Sequence, residues 1–439
     1  MCKNPGRPFS FFKKSVDRAG ERADHFFCSL FQIEMDKVIA GLDIGSSKIR
    51  TVIGVTGESK ELQIVGVGVS PSLGLRKGSV VDVNEVIANI SASLEDTERM
   101  SGVPIHHVFV SIGGLHTESV NSRGVIAVGQ KEITENDVER VLEAAEAVSL
   151  PQNQRILRVI PKSFSVDGHK GIRSPIGMSG IRLEIDAHIV TGQAQTVENI
   201  EKCVHQSGVD IDDFVPSILA ASEATLSRRQ KELGVVLIDI GAYSTSLIAF
   251  EEGAVLHSAV IPAGGNSVTN DVAIGLRSSV DTAEKVKVEH GTCLPDEVSD
   301  RETIDLSQIS KIDKQKISKK HLAEIIQARM HEIFVLVKDE LRSIDRDGML
   351  PAGALLTGAA VKMPGTIELA REVLGLPIQV GFPSEVGGVI DKIDDPSFAT
   401  AAGLVVWGSK FEGRSYSFSF ASFGKMFSSV GNFFRRLLP

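Results

Sequence analysis

Two short segments of the chain each place an aspartate and a glycine directly after a run of apolar residues. Asp43 and Gly45 end the first run, and Asp239 and Gly241 end the second. Because small or hydroxyl residues and then β-branched residues come next, each segment predicts a β-hairpin with the carboxylate near its tip. Glycine lets backbone N–H groups approach a phosphate, and a carboxylate there can hold Mg²⁺ through water molecules. One such hairpin is usually only a turn, but two in matched contexts favour a phosphate clamp between two related domains.

Three further segments have compositions that suit nucleotide binding. They are a corner of small residues after a strand, a glycine pair between a strand and a helix, and a Glu–Lys pair one helical turn apart. In that order the residues are Gly358 and Ala359, Gly264 and Gly265, and Glu284 and Lys287. Each is weak evidence alone, since a Glu and a Lys at this spacing normally lie on a solvated surface. The specific feature is their order after the two hairpins: glycine pair, Glu–Lys helix, small-residue corner.

This order resembles that of the actin/Hsp70/sugar-kinase ATPase superfamily and, within it, the FtsA family of bacterial cell-division proteins. The resemblance extends from about Asp36 to the C-terminus. It implies an α/β, actin-like two-domain ATPase fold, in which a mixed five-stranded sheet flanked by helices is duplicated. It also implies an inserted α+β subdomain and a C-terminal amphipathic helix.

The resemblance further implies ATP and Mg²⁺ as cofactors and assigns a role to each motif. The first phosphate loop would be Gly45, Ser46 and Ser47 with Lys48 beside it, and the second Gly241, Tyr243 and Thr245. Asp43 and Asp239 would lie near Mg²⁺, which they would hold through waters. Gly264 and Gly265 would lie below the α- and β-phosphates, Glu284 and Lys287 would contact ribose and adenine, and Gly358 and Ala359 would form the adenosine motif.

One position departs from the hydrolytic relatives. In chaperone-type members an acidic residue stands just before the proline of the helix that crosses between the domains, whereas here Val215 precedes Pro216. Asp213 is two residues away, which on a strand is the same face but roughly 7 Å distant. We therefore assign no catalytic residue and expect ATP to be bound but hydrolysed slowly or not at all, unless Asp213 or Glu223 polarises the attacking water.

Length and composition bound the remaining possibilities. A chain of 439 residues with 42% hydrophobic residues should form two or more globular domains. The net charge of −9 argues against general nucleic-acid binding. The four cysteines are scattered without a C-x-x-C pair, which indicates neither a metal site nor a disulfide framework and suits a reducing cytoplasm. The sequence shows no secretory signal and no apolar run long enough to span a membrane.

The C-terminal residues 423–438 form an amphipathic pattern with three cations and no acidic residue. The residues that we expect at a membrane surface are Phe423, Lys425, Met426, Phe427, Phe433, Phe434, Arg435, Arg436 and Leu437. Such a stripe is most often a core-facing helix. Its terminal position after a polar linker at 412–422 and its basic charge favour an interfacial helix on anionic lipid, and FtsA proteins end in such a helix.

The predicted organisation follows the motifs. The sequence pattern predicts a strand at 124–128, a long helix that Thr134 begins, an exposed charged stretch at 296–320 and a helix at 394–407. Residues 1–34 are aperiodic, and we interpret Met35 as the true start; the alternative is a second basic and aromatic membrane anchor. The predicted parts are a first actin-like domain (36–117, 208–232 and 381–411), an insert (118–207), a second domain core (233–265 and 350–380) and its helical subdomain (266–349). In FtsA the matching insert contacts neighbouring subunits and later division proteins, although a plain structural insert remains an alternative.

Three classes of function remain open. The resemblance implies a division protein on the cytoplasmic side of the inner membrane that polymerises with itself, tethers tubulin-like FtsZ filaments and recruits later division proteins. We expect the FtsZ contact on residues 266–349. The alternatives are a small-molecule kinase or pilus-assembly-type ATPase of the same fold, and a chaperone ATPase. The kinase would need an acidic base that the sequence does not show, and the chaperone would need a large domain after the ATPase core.

Overall fold

A computed structural model describes residues 37–56, 61–148, 150–311, 313–384, 386–388 and 390–410. The strands in these ranges are β1 (Lys37–Ile44), β2 (Lys48–Thr56), β3 (Leu62–Pro71), β4 (Leu75–Arg76), β5 (Ser79–Val80), β6 (His107–Ile112), β7 (Thr117–Ala127), β8 (Gln154–Val166), β9 (His169–Ile172), β10 (Arg182–Gln193), β11 (Asp210–Pro216), β12 (Val235–Ile240), β13 (Thr245–Glu251), β14 (Ala254–Ile261), β15 (Thr303–Asp305), β16 (Lys316–Ser318), β17 (Ala354–Thr357), β18 (Ile378–Val380) and β19 (Gly387–Gly388).

The α-helices in the same ranges are α1 (Val83–Ser101), α2 (Glu135–Glu146), α3 (Ala194–Gln206), α4 (Ser217–Thr225), α5 (Arg228–Leu233), α6 (Gly265–Leu276), α7 (Val280–His290), α8 (Lys319–Ser343), α9 (Thr366–Leu374), α10 (Ile390–Ile393) and α11 (Ala399–Lys410). None of the helices described is both long and apolar enough to cross a bilayer. The predicted N-terminal segment 1–34, the linker 412–422 and the amphipathic helix 423–438 lie outside the described residues.

The two large sheets share one topology, which confirms the predicted duplication. In the first sheet β1, β2 and β3 form an antiparallel meander, β6 pairs parallel to β1, and β11 pairs parallel to β6. In the second sheet β12, β13 and β14 form the meander, and β17 and β18 extend it in parallel. The first sheet differs from the prediction by a sixth strand, the short β19, which pairs with β3.

The central strands are buried on both faces, as their continuous apolar runs predict. One face of the first sheet packs on α1 and α3, and the other packs on α11. In the second domain, apolar residues of the sheet and of the predicted helical subdomain belong to one continuous core. That subdomain also contains the two-stranded β15–β16 sheet within the charged stretch expected to be exposed, where Ile304 and Ile317 are buried.

Two helices meet between the domains. The predicted crossing helix is α4, which begins directly after Pro216, and it packs against α11. The approach is close because a Cβ on Gly403 would lie 1.9 Å from the carbonyl oxygen of Ala220. The predicted helix at 394–407 differs at its start: a 3₁₀ turn at Pro396–Phe398 precedes α11, and the side chain of Asp395 caps that turn.

The insert is a sheet in the order β7-β10-β8-β9 with α2 on one face. Thr134 caps α2 as predicted, in a capping box with Asp137. The strand predicted at 124–128 is longer, since β7 begins at Thr117, and β9 was not predicted. Helix α3, which the sequence boundary places in the insert, packs its apolar face into the core of the first domain instead.

The insert also contacts the second domain through its edge strand β14. Lys162 Nζ donates to the carbonyl of Leu256 at 3.1 Å, and Ser119 Oγ donates to the carbonyl of Ser258 at 2.6 Å. The buried ring of His188 places Nε2 2.8 Å from Ser258 Oγ. We refer to these five residues as the β14 contact. Side-chain donors of the insert thus cover a sheet edge that would otherwise be exposed.

Candidate functional site

The first predicted hairpin is formed by β1 and β2, joined through residues 45–47. Asp43 lies just before the turn, is 8% exposed, and accepts a hydrogen bond from Ser111 Oγ at 2.8 Å. Burial raises the pKa of the Asp43 carboxyl, while Arg50 and the Ser111 hydroxyl act in the opposite direction. A Cβ on Gly45 would lie 2.7 Å from the carbonyl oxygen of Lys48, so only glycine fits this turn. The hairpin therefore holds a buried carboxylate beside a tight backbone turn.

The second hairpin, β12 and β13, presents Asp239 in the equivalent place. Burial first, and then the negative charge of Asp43, raise the pKa of Asp239 to about 7, and Arg50 lowers it. The charge of Asp43 thus acts on Asp239, so the two hairpin tips lie near each other, and we refer to the region between them as the cleft. Two carboxylates that repel each other in a poorly solvated place are an arrangement that a cation would stabilise.

The glycine pair packs directly on the second hairpin turn. The N–H groups of Gly265 and Asn266 donate to the carbonyls of Gly241 and Ala242 at 2.9 and 2.7 Å. A Cβ on Gly264 would lie 2.6 Å from the Gly241 oxygen, so a larger residue would push the two turns apart. The remaining residues assigned to the second loop differ in exposure: Tyr243 is half-buried, whereas Thr245 is buried and donates its hydroxyl to the Ala263 carbonyl at 2.8 Å.

Glu284 and Lys287 lie on one face of α7, as predicted, and form an ion pair at 2.6 Å. The Lys287 ammonium also donates to Thr269 Oγ1 at 2.8 Å and to the Gly265 carbonyl at 3.3 Å. These three partners use all three of its N–H donors. The Lys287 ammonium therefore connects α7 to the glycine pair. Only its aliphatic stem and the more exposed Glu284 are left for contact with a ligand.

The small-residue corner packs against the second hairpin. Gly358 has φ +90, and a Cβ there would lie 2.3 Å from Asp239 Oδ1 and 2.7 Å from the carbonyl oxygen of Ile240. Ala360 Cβ lies 3.6 Å from the position that a Cβ of Gly265 would take. The corner thus contacts both the second hairpin and the glycine pair, and four of the five predicted motifs meet in direct contact.

The sequence reasoning missed two residues of the site, Ser111 and Arg50. Ser111 lies on β6, parallel to β1, and bonds both the Asp43 carboxylate and the Ile44 N–H. The hairpin register pairs Arg50 with Asp43, so counting across the turn could have found it. Ser46 and Ser47 lie in the turn and Lys48 begins β2 beside it, with Ser46 half-buried and the other two exposed.

The two carboxylates considered as water-activating groups are both engaged by other side chains. Asp213 accepts from Arg158 at 2.5 Å and from the Trp407 indole at 3.3 Å. Glu223 accepts from Lys231 at 2.7 Å and from Lys410 at 2.6 Å, and these lysines lower its pKa against the effect of burial. Neither carboxylate contacts either hairpin turn through a described hydrogen bond.

Comparison with known proteins decides the family. The family model "Cell division protein FtsA" matches residues 236–403, and "SHS2 domain inserted in FTSA" matches residues 114–191. The chain is 39% identical to the cell division protein FtsA of Pseudomonas aeruginosa over 89% of its own length and 94% of that protein. The chain belongs to the FtsA family. FtsA of Bacillus subtilis is also 39% identical, covering 87% of each chain, and FtsA of Escherichia coli K12 is 31% identical, covering 85% and 91%.

Solved structures with low sequence identity share the actin-like fold of this FtsA-family chain. The PilM–PilN type IV pilus biogenesis complex superposes with a TM-score of 0.63 at 16% identity, covering 84% of this chain and 98% of that one. MreB5 of Spiroplasma citri bound to ADP superposes with a TM-score of 0.51 at 12% identity, covering 85% and 97%. The SHS2 match ends at residue 191, before α3, which agrees with the packing of α3 on the first domain.

Proposed function

We propose that this chain is an ATP-binding, actin-like division protein that polymerises on the cytoplasmic face of the inner membrane at the division site. There it tethers FtsZ filaments and recruits later division proteins. The observation that carries the nucleotide part is the meeting of both hairpin tips, the glycine pair, α7 and the small-residue corner around one cleft. Membership of the FtsA family supports the cell-division part.

The residues of the cleft fit a nucleotide with Mg²⁺. Asp43 and Asp239 form a poorly solvated pair of negative charges, and Gly264 and Gly358 let the glycine pair and the small-residue corner pack closely on the second hairpin. No group of three possible metal ligands occurs in the part of the chain that the structure describes. A Mg²⁺ here would therefore keep waters and phosphate oxygens as ligands, and it would neutralise phosphate charge. The MreB5 structures with ADP and AMPPNP show nucleotides bound by a protein of this fold.

The phosphate-binding part of the proposal assigns roles to the hairpin turns. Backbone N–H groups of residues 45–47 and 242–243 would bind phosphate oxygens, with Gly241 allowing the tight turn and Lys48 adding positive charge. Glu284 would contact the ribose, and Gly358 with Ala359 would leave room for adenine. Titration with ATP in the presence and absence of Mg²⁺, followed by calorimetry, tests this site. A native chain that binds neither ATP nor ADP at millimolar concentration would contradict it.

Hydrolysis in this site is slow or absent in our proposal. The buried Val215 occupies the position before Pro216, and both nearby carboxylates are held by basic side chains. An acid that activates water must be free to accept its proton, and these two are not. The test is the ATPase rate of the full chain with and without lipid. A turnover above about 1 s⁻¹, the lower end of typical enzymes, would contradict the proposal.

Membrane attachment is assigned to residues 423–438 because their apolar stripe and three cations suit an anionic lipid surface. One short helix binds weakly, but a polymer presents many copies together and so raises the effective concentration of each. The first test is co-pelleting with anionic liposomes and ATP, comparing the full chain with a chain ended at Phe420. Lost pelleting on truncation, with filaments on the lipid in electron micrographs, is the expected result.

A matched pair of substitutions tests whether membrane binding depends on the apolar stripe of residues 423–438 or only on the presence of the segment. Phe427→Asp places a charge on the apolar face, whereas Ser428→Asp places the same charge on the polar face. We expect the first variant to lose most pelleting and the second to keep most of it. Equal behaviour of the two would make the segment something other than an interfacial helix, and the protein a soluble ATPase or kinase of the same fold.

FtsZ binding is assigned to the helical subdomain 266–349, and the later division proteins to the insert 118–207. Ile274 on α6 and Ile181 in the insert are both apolar and both 76% exposed, so they offer matched positions. In co-sedimentation with FtsZ, Ile274→Glu should weaken binding and Ile181→Glu should not. The reverse pattern would move the FtsZ contact to the insert.

A further inference from the structure

Arg50 lies where the two halves of the candidate site meet. It stands on β2 directly opposite Asp43 of β1 and is half-buried. Its guanidinium lies over the ring of Phe398, 5.3 Å from the ring centre, which is the geometry of a cation–π contact. Directly opposed residues on paired strands have Cβ atoms about 5 Å apart. The charge is therefore fixed beside the first hairpin's aspartate.

The turn that carries the Phe398 ring is hydrogen-bonded to the second domain. Phe398 is 8% exposed and ends the 3₁₀ turn Pro396–Phe398. The Pro396 carbonyl in that turn accepts from Thr357 Oγ1 at 2.8 Å and from the Gly358 N–H at 3.3 Å. Thr357 ends β17, and Gly358 begins the small-residue corner against which the Asp239 carboxylate lies. Arg50 is thus a cation of the first domain that stacks on the Phe398 ring, and hydrogen bonds from the second domain help to position that ring.

The charge of Arg50 acts on both aspartates without a direct bond to either. Arg50 lies across the hairpin from Asp43, and the turn that carries Phe398 below it bonds the corner against which the Asp239 carboxylate lies. Among the described residues, however, no ion pair joins Arg50 to a carboxylate within 4.0 Å. Arg158 and Arg173, in contrast, bind their carboxylates at 2.5 and 2.7 Å. Arg50 therefore offsets the negative charge of the two aspartates without an ion pair to either.

We propose that Arg50 is a built-in counter-ion for Asp43 and Asp239, which stands in for a divalent cation when nucleotide is absent and limits how tightly a free divalent cation binds. This inference rests on the proposed nucleotide site. It assigns Arg50 a role that differs from that of Lys48, which adds charge at the exposed turn. The fixed positive charge of Arg50 lowers the affinity of the nucleotide-free cleft for a divalent cation. The cation therefore binds tightly only together with the phosphates.

The test measures metal binding directly, with Mn²⁺ as the probe and the full, nucleotide-free chain as the sample. Arg50→Met removes the charge but keeps an apolar stem against Phe398. We expect this variant to bind Mn²⁺ about tenfold or more tightly, because it removes a positive charge fixed opposite Asp43 that would repel a divalent ion held at the aspartates. Arg50→Lys keeps the charge and should bind Mn²⁺ within about threefold of the native chain. Electron paramagnetic resonance of free Mn²⁺ gives both constants.

Two outcomes would overturn the inference. Unchanged or weaker Mn²⁺ binding by Arg50→Met would show that the charge does not compete with the metal. Equal tightening by Arg50→Met and Arg50→Lys would show that the stacking geometry matters and the charge does not. Arg50→Gln provides a second neutral variant should the first fail to fold, with circular dichroism as the check. ATP binding by the native chain is scored separately, so failure of the nucleotide proposal and failure of this one are distinguishable.

Discussion

Acidification should weaken this protein through one buried histidine of the β14 contact. His188 is 1% exposed, with Nδ1 3.0 Å from Asn121 Oδ1 and Nε2 2.8 Å from Ser258 Oγ. Burial first, then the charges of Lys162 and His257, lower its pKa from the ordinary 6.5 to about 4. The folded pKa is thus below the unfolded one, so the unfolded chain takes up the proton first as the pH falls. Stability that is complete above the unfolded pKa is lost progressively between 6.5 and about 4.

The size of the effect follows from the shift. One pKa unit corresponds to about 1.36 kcal/mol. Between about pH 7.5 and about pH 5, His188 alone should remove about 2 kcal/mol from the free energy of unfolding. The ring nitrogens of the buried His116 have no described partner, and burial lowers its pKa to about 4 as well, so it acts in the same pH window. A variant is therefore needed to isolate the first histidine.

The variant His188→Gln keeps a polar group near Ser258 but cannot take up a proton. Urea unfolding of the native chain and of this variant, at about pH 7.5 and about pH 5, gives two differences in unfolding free energy. We expect the difference to be smaller for the variant by about 2 kcal/mol. His116→Gln should reduce the difference by a similar amount. If His188→Gln loses as much stability on acidification as the native chain does, the imidazole of His188 is not buried in the neutral form and this reasoning is wrong.

Three further predictions concern the site and one cap. Gly358→Ala should weaken ATP binding about tenfold or more in calorimetry, because its Cβ would overlap the Asp239 carboxylate; Gly129→Ala, where a Cβ meets nothing within 4 Å, is the control. Lys287→Met should lower the free energy of unfolding by about 2 kcal/mol and also weaken ATP binding, since it removes the hydrogen bonds that the ammonium donates to Gly265, Thr269 and Glu284; an unchanged urea midpoint would contradict this. Thr134→Ala should cost about 1 kcal/mol through loss of the capping box without changing ATP affinity.

Local sequence patterns predicted the parts of the fold that local chemistry decides. Apolar runs ending in Asp-x-Gly produced the β1–β2 and β12–β13 hairpins, and Thr134 marked the start of α2. The two matched hairpins also indicated two related domains, and the duplicated topology agrees with this. These features depend on residues within a few positions of one another, so their spacing along the chain is enough to recognise them.

Features that depend on contacts between distant segments could not be predicted in the same way. Arg50 looks like an ordinary strand residue until Phe398 lies beneath it, and Ser111 looks like part of an apolar strand until β6 pairs with β1. The apolar positions of α3 fit either domain equally well on spacing alone, and only packing decides between them. The burial of His188 could not be predicted, because the alternation of side chains along β10 does not reveal that the second domain covers this face of the sheet.

Because of the β14 contact, the insert is attached to both domains, so the first domain, the insert and the second domain form a closed loop of connected bodies. The insert joins the first domain at two places, through residues 113–116 and where β10 runs into α3, and it touches the second domain at Leu256 and Ser258. In such a linkage one body cannot turn alone. If the halves rotate relative to each other, either the insert turns too or its hydrogen bonds to β14 break. A protein that binds the insert in one orientation would therefore change the affinity of the cleft for its ligand. The ligand would change the affinity of the insert for that protein by the same factor.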